Sequence, residues 1–337
     1  MKRRRWPEET GIIIILALVV VAMAISSENF RTVSNLRILL LNGAVIAFLA
    51  MGQCFVLLTG GIDLSAGANI AMTGVLAAVL MRAGLPWELA ALISIGAGTS
   101  LGLLNGFFIH YVGLPAFIVT FCTFGMATSI PQIITGANSV SIKDPAFAVV
   151  GRGVVMGVPM PVVLVLVAAI ILTIVLRYTP LGVQIYATGG NAEASRLAGV
   201  NIGRIILVVY AVSGFCASIG GMIVASRLMV GYTTAGSGQE LFFSIASAVV
   251  GGVSLFGGVG SIIGALLGAI LIATVSNGMN VLGVESYWQS LVIGVIILAG
   301  VTLDTYRRRI SFGAQRRKRS QQSATSLPAA PVGGQSQ

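Results

Sequence analysis

The chain reads as an all-α, polytopic integral membrane protein, for three reasons: an excess of apolar residues, a series of membrane-length apolar runs, and basic clusters near both ends. Of its 337 residues, 56% are hydrophobic and only 9% are charged. Soluble domains carry about a quarter charged residues, so this chain could not be hidden from lipid by its own surface. Apolar windows mark about ten transmembrane helices, near 11–27, 37–58, 64–82, 88–111, 115–135, 158–177, 204–226, 241–255, 259–282 and 288–305. A hydrocarbon core of ~30 Å takes ~20 residues of helix, and only the eighth window falls clearly short.

The net charge of +10 is topogenic. Lys2, Arg3, Arg4 and Arg5 open the chain, and Arg307, Arg308, Arg309, Arg316, Arg317, Lys318 and Arg319 lie near its end. Both clusters flank apolar runs, so the positive-inside rule expects both termini in the cytoplasm, as an even number of spans permits. Nucleic-acid binding would need a folded basic face with interleaved aromatics, and none is present. Residues 1–10 therefore read as a basic cytoplasmic N-terminus and 11–305 as the transmembrane domain. The stretch 306–337, rich in Gln, Ser, Ala and Pro, reads as a disordered basic tail. The first apolar run is expected to be retained as a span, since Pro7, Glu8 and Glu9 part it from the basic residues and it continues to about residue 26.

Along the chain, the one long polar interruption is 178–204, which alternation places in the cytoplasm with Arg177, Arg196 and Arg204. Gly189 and Gly190 are expected to break the preceding structure, and Asn191 to cap a short helix. Ala192 to Ala198 carry strong helix formers, with Ala194 inside the run. Glu193 sits in the first turn and Arg196 three residues on, while Gly199 stands at the C-cap position. A loop this long with its own helix is more often functional than a mere connection. The same alternation places 136–153 outside, along with the 227–240 loop.

An internal echo sets GGIDLSAGANIAMTGVLAAVL, from Gly60, over GGVSLFGGVGSIIGALLGAIL, from Gly251. Paired glycine-interrupted apolar segments are the mark of transporter repeats. Their copies share one orientation in a ten-span count, so either the repeat is parallel or the span count is off.

Residues able to carry chemistry are few. Asp63 is the acid nearest the middle of an apolar region, and it reads either as the cap of the third span or as an ion site. Gln53, Asn69, Asn105, Gln132, Asn277 and Asn280 lie within spans, where they suit a wet passage or interhelical hydrogen bonds alike. Asp63 and all of these except Gln132 form the candidate pathway. His110 is the sole histidine, so no metal site and no cofactor is expected, and no serine–histidine–acid set is at hand. Cys54, Cys122 and Cys216 are packing residues without disulfide or metal spacing. Lys2, Lys143 and Lys318, the only lysines, stand in no phosphate-loop context, so the chain cannot hydrolyse ATP alone.

Four stretches resemble the permease subunits of bacterial ribose-type ABC sugar importers. They are LLTGGIDLSAGA at 57–68, YATGGNAEASRLAGVNIGRI at 186–205, VVGGVSLFGGVGSIIGALLGA at 249–269 and NGMNVLGVESYWQSLVIGVIILAGVTLD at 277–304. The resemblance implies an inner-membrane subunit, present as two copies or paired with a related chain. Cytoplasmic ATP-binding subunits and a periplasmic sugar-binding protein would complete the assembly. It also implies that Glu193-Ala194, followed by Gly199, belongs to a loop coupling the permease to its ATPase. In that setting the outward cations Arg82, Lys143, Arg152 and Arg227 are expected to dock the binding protein. Two other functions stand beside this one: an ion-coupled secondary transporter using Asp63, and a membrane-embedded enzyme, for which the nucleophile and base are missing.

Overall fold

The computed structural model describes residues 10–302, apart from 237 and 286, together with residue 305. The N-terminal basic cluster and the tail from 306 lie outside the described residues. The described helices are α1 (Thr10–Ser26), α2 (Val33–Leu58), α3 (Ala66–Arg82), α4 (Trp87–His110), α5 (Ala116–Thr135), α6 (Ala148–Arg152) and α7 (Met160–Tyr178). They continue with α8 (Pro180–Gly190), α9 (Ala192–Leu197), α10 (Ile202–Leu228), α11 (Glu240–Val250), α12 (Ile262–Val281) and α13 (Tyr287–Thr302). Six of these, α2, α4, α5, α7, α10 and α12, are long and apolar enough to cross a membrane, while α1, α3, α11 and α13 are shorter.

Each of the ten apolar windows thus coincides with a helix, but ten full helical spans are not what forms. The clearest departure is α11, whose 11 residues rise only ~16 Å, about half of a ~30 Å core. The non-helical residues before it, 229–236 with 238 and 239, supply the other half of the crossing. Gly231 lies against Val75 and Ala78 near the C-terminus of α3, and Gly236 lies deeper, against Gly67 and Ile70 near its start. α3 is built the same way, with the non-helical stretch 59–65 leading into it. The two broken elements cross so closely that a β-carbon on Gly67 would meet the carbonyl oxygen of Gly236.

This layout is an inverted repeat. α2 and α10 pack on each other at the centre of the bundle; α10 also packs on α3 and α4, and α2 on α11 and α12. Each long helix is followed by a non-helical stretch, a short helix and a further helix, with α2 and α10 running in opposite directions. Broken helices brought together midway by such halves are characteristic of transporters. The echo between Gly60 and Gly251 marks something else: two turns at one end of the bundle, joined where the Gly258 N–H donates to the Leu58 carbonyl (2.9 Å). Both turns lead into helices running the same way, so the echoed copies are parallel while the architecture is inverted.

The end carrying those turns also carries the 178–204 loop and is called the loop end; the other is the far end. Gly11, Gly251 and Gly300 line one cavity, so the first and last described helices also meet the loop end. At the far end, 136–153 folds onto α10: the Ser226 hydroxyl donates to the Phe147 carbonyl (2.6 Å), and the strand Val140–Ser141 pairs with Val230–Gly231. α2 is buried from Ala44 to Leu58. α1, α4, α5 and α7 instead turn apolar side chains outward, such as Leu18 at 64% and Ile170 at 60% exposure, as a lipid-facing belt requires.

Candidate functional site

The candidate residues separate into a closed polar knot, a polar cavity, and two surfaces at opposite ends. The knot forms around the 59–65 stretch, whose backbone and side chains would be costly in an apolar bundle without partners. Asp63 is 1% exposed. Its Oδ1 accepts from the Ser65 N–H (2.9 Å) and hydroxyl (2.6 Å), and its Oδ2 from the Ser213 hydroxyl of α10 (2.6 Å). The Ile62 carbonyl accepts from Tyr210 on α10 (3.3 Å) and Thr120 on α5 (3.2 Å). From α4, the Asn105 amide donates to the Ser65 hydroxyl (2.9 Å), and its carbonyl accepts from Thr123 (2.7 Å). Asn69 donates to the Gly98 (3.2 Å) and Gly214 (3.1 Å) carbonyls.

These bonds correct the sequence-based expectation of a cap. The N-cap of α3 is Ser65, without a side-chain cap bond, and Asp63 instead fastens the turn before it to α10. Asp63, Asn69 and Asn105 thus tie the non-helical stretch to its neighbours. Ser213, Thr120 and Thr123 complete the knot, and sequence reasoning missed them because hydroxyls within apolar helices usually bond their own backbone. Gln53 stands apart, fully buried on α2 with neither amide atom hydrogen-bonded among the described residues.

Asn277 and Asn280 belong to a different place. Near the far end, α2, α10, α11 and α12 enclose a cavity of about 220 Å³ lined by Asn42, Arg227, Glu240, Phe243, Asn277 and Asn280 among others. The Arg227 Nη1 donates to Asn42 Oδ1 (2.8 Å). This corrects the expectation that Arg227 is an outward docking cation, because its half-buried guanidinium turns into the bundle. Asn277 and Asn35 exchange amide bonds (2.9 and 3.0 Å), and the Asn280 carbonyl accepts from Gln289 (2.7 Å). The other three outward cations, Arg82, Lys143 and Arg152, are exposed at the far end.

At the loop end, α8 and α9 form the surface. The expectation that Gly189 and Gly190 break structure is corrected, since both lie within α8. Gly189 is there for a close approach: a β-carbon on it would collide with the Leu58 carbonyl oxygen, whereas one on Gly190 would meet open space. Asn191 caps α9 as its sequence predicts, with Oδ1 accepting from the Ala194 N–H (2.9 Å). The Gly199 N–H donates to the Arg196 carbonyl (3.0 Å) and Val200 to Ser195 (3.0 Å). That double closure, with Gly199 at φ +85°, is the Schellman arrangement. The Glu193–Arg196 pair forms at 2.8 Å on the surface, where it contributes about 0.2–0.5 kcal/mol. Leu197, unremarked in the sequence, projects from α9 at 80% exposure.

Against known proteins, a family profile described as branched-chain amino acid transport system / permease component matches residues 35–301. The chain is 38% identical to the D-allose transport system permease protein of Escherichia coli K12, over 88% of its own length and 91% of that protein's. It is 36% identical to the ribose import permease protein of Haemophilus influenzae, over 87% and 92%. It is 34% identical to the L-arabinose transport system permease protein of Escherichia coli K12, over 91% and 93%. No solved structure matches it with significance.

Proposed function

Because the chain belongs to the family of branched-chain amino acid transport system permease components, we propose that it carries a sugar through the membrane as the permease of an ATP-binding-cassette importer. The single observation behind the choice of sugar is the set of relatives named for allose, ribose and arabinose, similar over nearly their full lengths. The family description names branched-chain amino acids, which makes leucine the fitting competitor. Reconstituted with its ATP-binding subunits and binding protein, the permease is expected to import D-allose, D-ribose or L-arabinose on addition of ATP, and L-leucine not at all. Import of leucine alone would reverse the substrate reading; sugar import driven by an ion gradient without ATP would restore the ion-coupled alternative.

In this reading the loop end faces the cytoplasm, both termini lie there, and two permease copies pair in the assembly. The ATPase grips α9 at Glu193, Ala194, Arg196 and Leu197. α9 is capped at both ends, so it moves as a unit. At six residues it is too short to hold its shape without such packing. Its motion passes through Gly189 to the turns at 58–61 and 251–260, which lead into the broken elements and the helices around the cavity. Glycine closures at Gly199 and Gly189 thereby connect a surface grip to the centre of the bundle.

At the far end, Arg82, Lys143 and Arg152 receive the binding protein. Reversing all three charges is expected to weaken its binding about threefold to tenfold at low salt, since exposed pairs contribute up to ~1 kcal/mol each at best. The difference should fade above roughly 0.5 M salt, where the Debye length falls to a few ångström. Titration of the detergent-solubilised permease with purified binding protein measures this, and unchanged affinity at low salt would count against the assignment.

A further inference from the structure

We propose that the loop-end cavity between α1, α11, α12 and α13 holds one acyl chain of an acidic phospholipid, whose headgroup meets the basic residues near both ends of the sequence. The inference needs only the membrane reading of the fold and holds whatever solute is carried. The first support is the cavity itself. It measures about 480 Å³, and each described residue lining it is Gly, Ala, Val, Leu or Ile. An apolar hollow of this kind stays dry and accepts apolar guests. Its mouth is wide because Gly11, Gly251, Gly252 and Gly300 bring no side chains to it, and a β-carbon on Gly11 would meet open space. Ile15 on its wall is 49% exposed, so the hollow opens sideways to the lipid belt.

The second support is depth. Gly11 and Val19 bound the hollow along α1, and that length of helix rises ~12 Å. One leaflet supplies ~15 Å of hydrocarbon, half of a ~30 Å core. Leu271 and Val275 line the inner end midway along α12, so a tail entering at the loop end reaches toward the bilayer centre. The third support is charge. The helices that form the mouth run on into basic sequence, with Lys2, Arg3, Arg4 and Arg5 shortly before Gly11 and Arg307, Arg308 and Arg309 shortly after Gly300. Thr305 keeps the chain beside the mouth, its hydroxyl donating to the Val301 carbonyl (2.9 Å). Covalent reach alone then holds Arg307 within about 7 Å of Thr305. Cations beside a cleft between membrane helices favour a negative headgroup over a zwitterionic one. The outer face of α5 offers the contrast: Phe117 and Phe121 are each 59% exposed, yet the sequence from 112 to 142 carries no Lys or Arg.

The test reconstitutes the full chain in phosphatidylcholine vesicles containing a trace of phosphatidylglycerol with a photoreactive group halfway along one tail. Irradiation is expected to label residues around Val19, Leu271 and Ile296 about tenfold more than Phe121, as several nearby arginines allow. Peptide mass spectrometry locates the label. The same probe with a choline headgroup should show no such excess. Gly11→Leu combined with Ala299→Leu fills the hollow and is expected to abolish the excess. Arg307→Gln, Arg308→Gln and Arg309→Gln together should lower it about fivefold or more, while the other basic residues near the two ends hold the topology. Unchanged labelling at Phe121 checks that both variants keep the bundle. Equal labelling by the two headgroups would overturn the proposal, as would an excess that survives filling or ignores the arginines. Absence of label in the hollow, as when a second copy or the chain's own tail fills it, would also overturn it. None of these results bears on the sugar-permease reading.

Discussion

Gly189→Ala is expected to cut transport more than tenfold, while Gly190→Ala, one residue on in the same helix, leaves it intact. The two substitutions add the same methyl group to the same element. At Gly190 the new β-carbon meets open space, and at Gly189 it meets the Leu58 carbonyl oxygen and the Gly258 backbone. Alanine is favoured over glycine inside a helix by up to ~1 kcal/mol, so local propensity predicts that both are harmless. Forcing an extra methyl into a filled contact costs about 1–3 kcal/mol, and here the obstacle is backbone, which cannot rotate aside. α8 would have to lift from the paired turns at 58–61 and 251–260, and α9 would then move without carrying those turns along. Uptake in vesicles, together with co-purification of the ATP-binding subunits, measures the effect. Equal uptake by the two variants would show that the contact transmits nothing.

The second large effect is expected at Asp63. Asp63→Ala removes three hydrogen bonds at once and strands the Ser213 hydroxyl and the Ser65 N–H in an apolar bundle. Hydrogen bonds to charged groups contribute about 1.5–3 kcal/mol in water-soluble proteins and average nearer ~0.6 kcal/mol in membrane bundles. A total loss on the order of 3 kcal/mol is therefore expected, read as a lowered unfolding temperature and poor yield. Asp63→Asn should behave differently. Its carbonyl can keep both Ser65 bonds, and its amide can donate to the Ser213 oxygen if that hydroxyl turns to accept. Transport by the Asn variant should remain within a few-fold of wild type. A well-folded but inactive Asn variant would show that the charge itself is used.

Much of this protein is legible in its residues because lipid tolerates so few backbone arrangements. Membrane-length apolar runs, basic ends and the polar 178–204 interruption must produce a multi-pass helical bundle with an exposed loop. The caps at Asn191 and Gly199 could be read for a related reason: they are short-range chemistry, settled within four residues of chain. What could not be read is whatever depends on partners far apart in sequence. The eighth window reads as short for a span, but that a non-helical stretch completes its crossing is visible only once Gly236 is found against Gly67. Asp63 reads as a cap until Ser213, 150 residues away, supplies the bond that makes it a cross-tie. Arg227 reads as a surface cation until Asn42 draws it inward, because a long side chain at a helix end can lie on either side of the interface. Inverted halves share direction-reversed packing rather than aligned residues, so their likeness is a property of packed helices and leaves little trace in the letters.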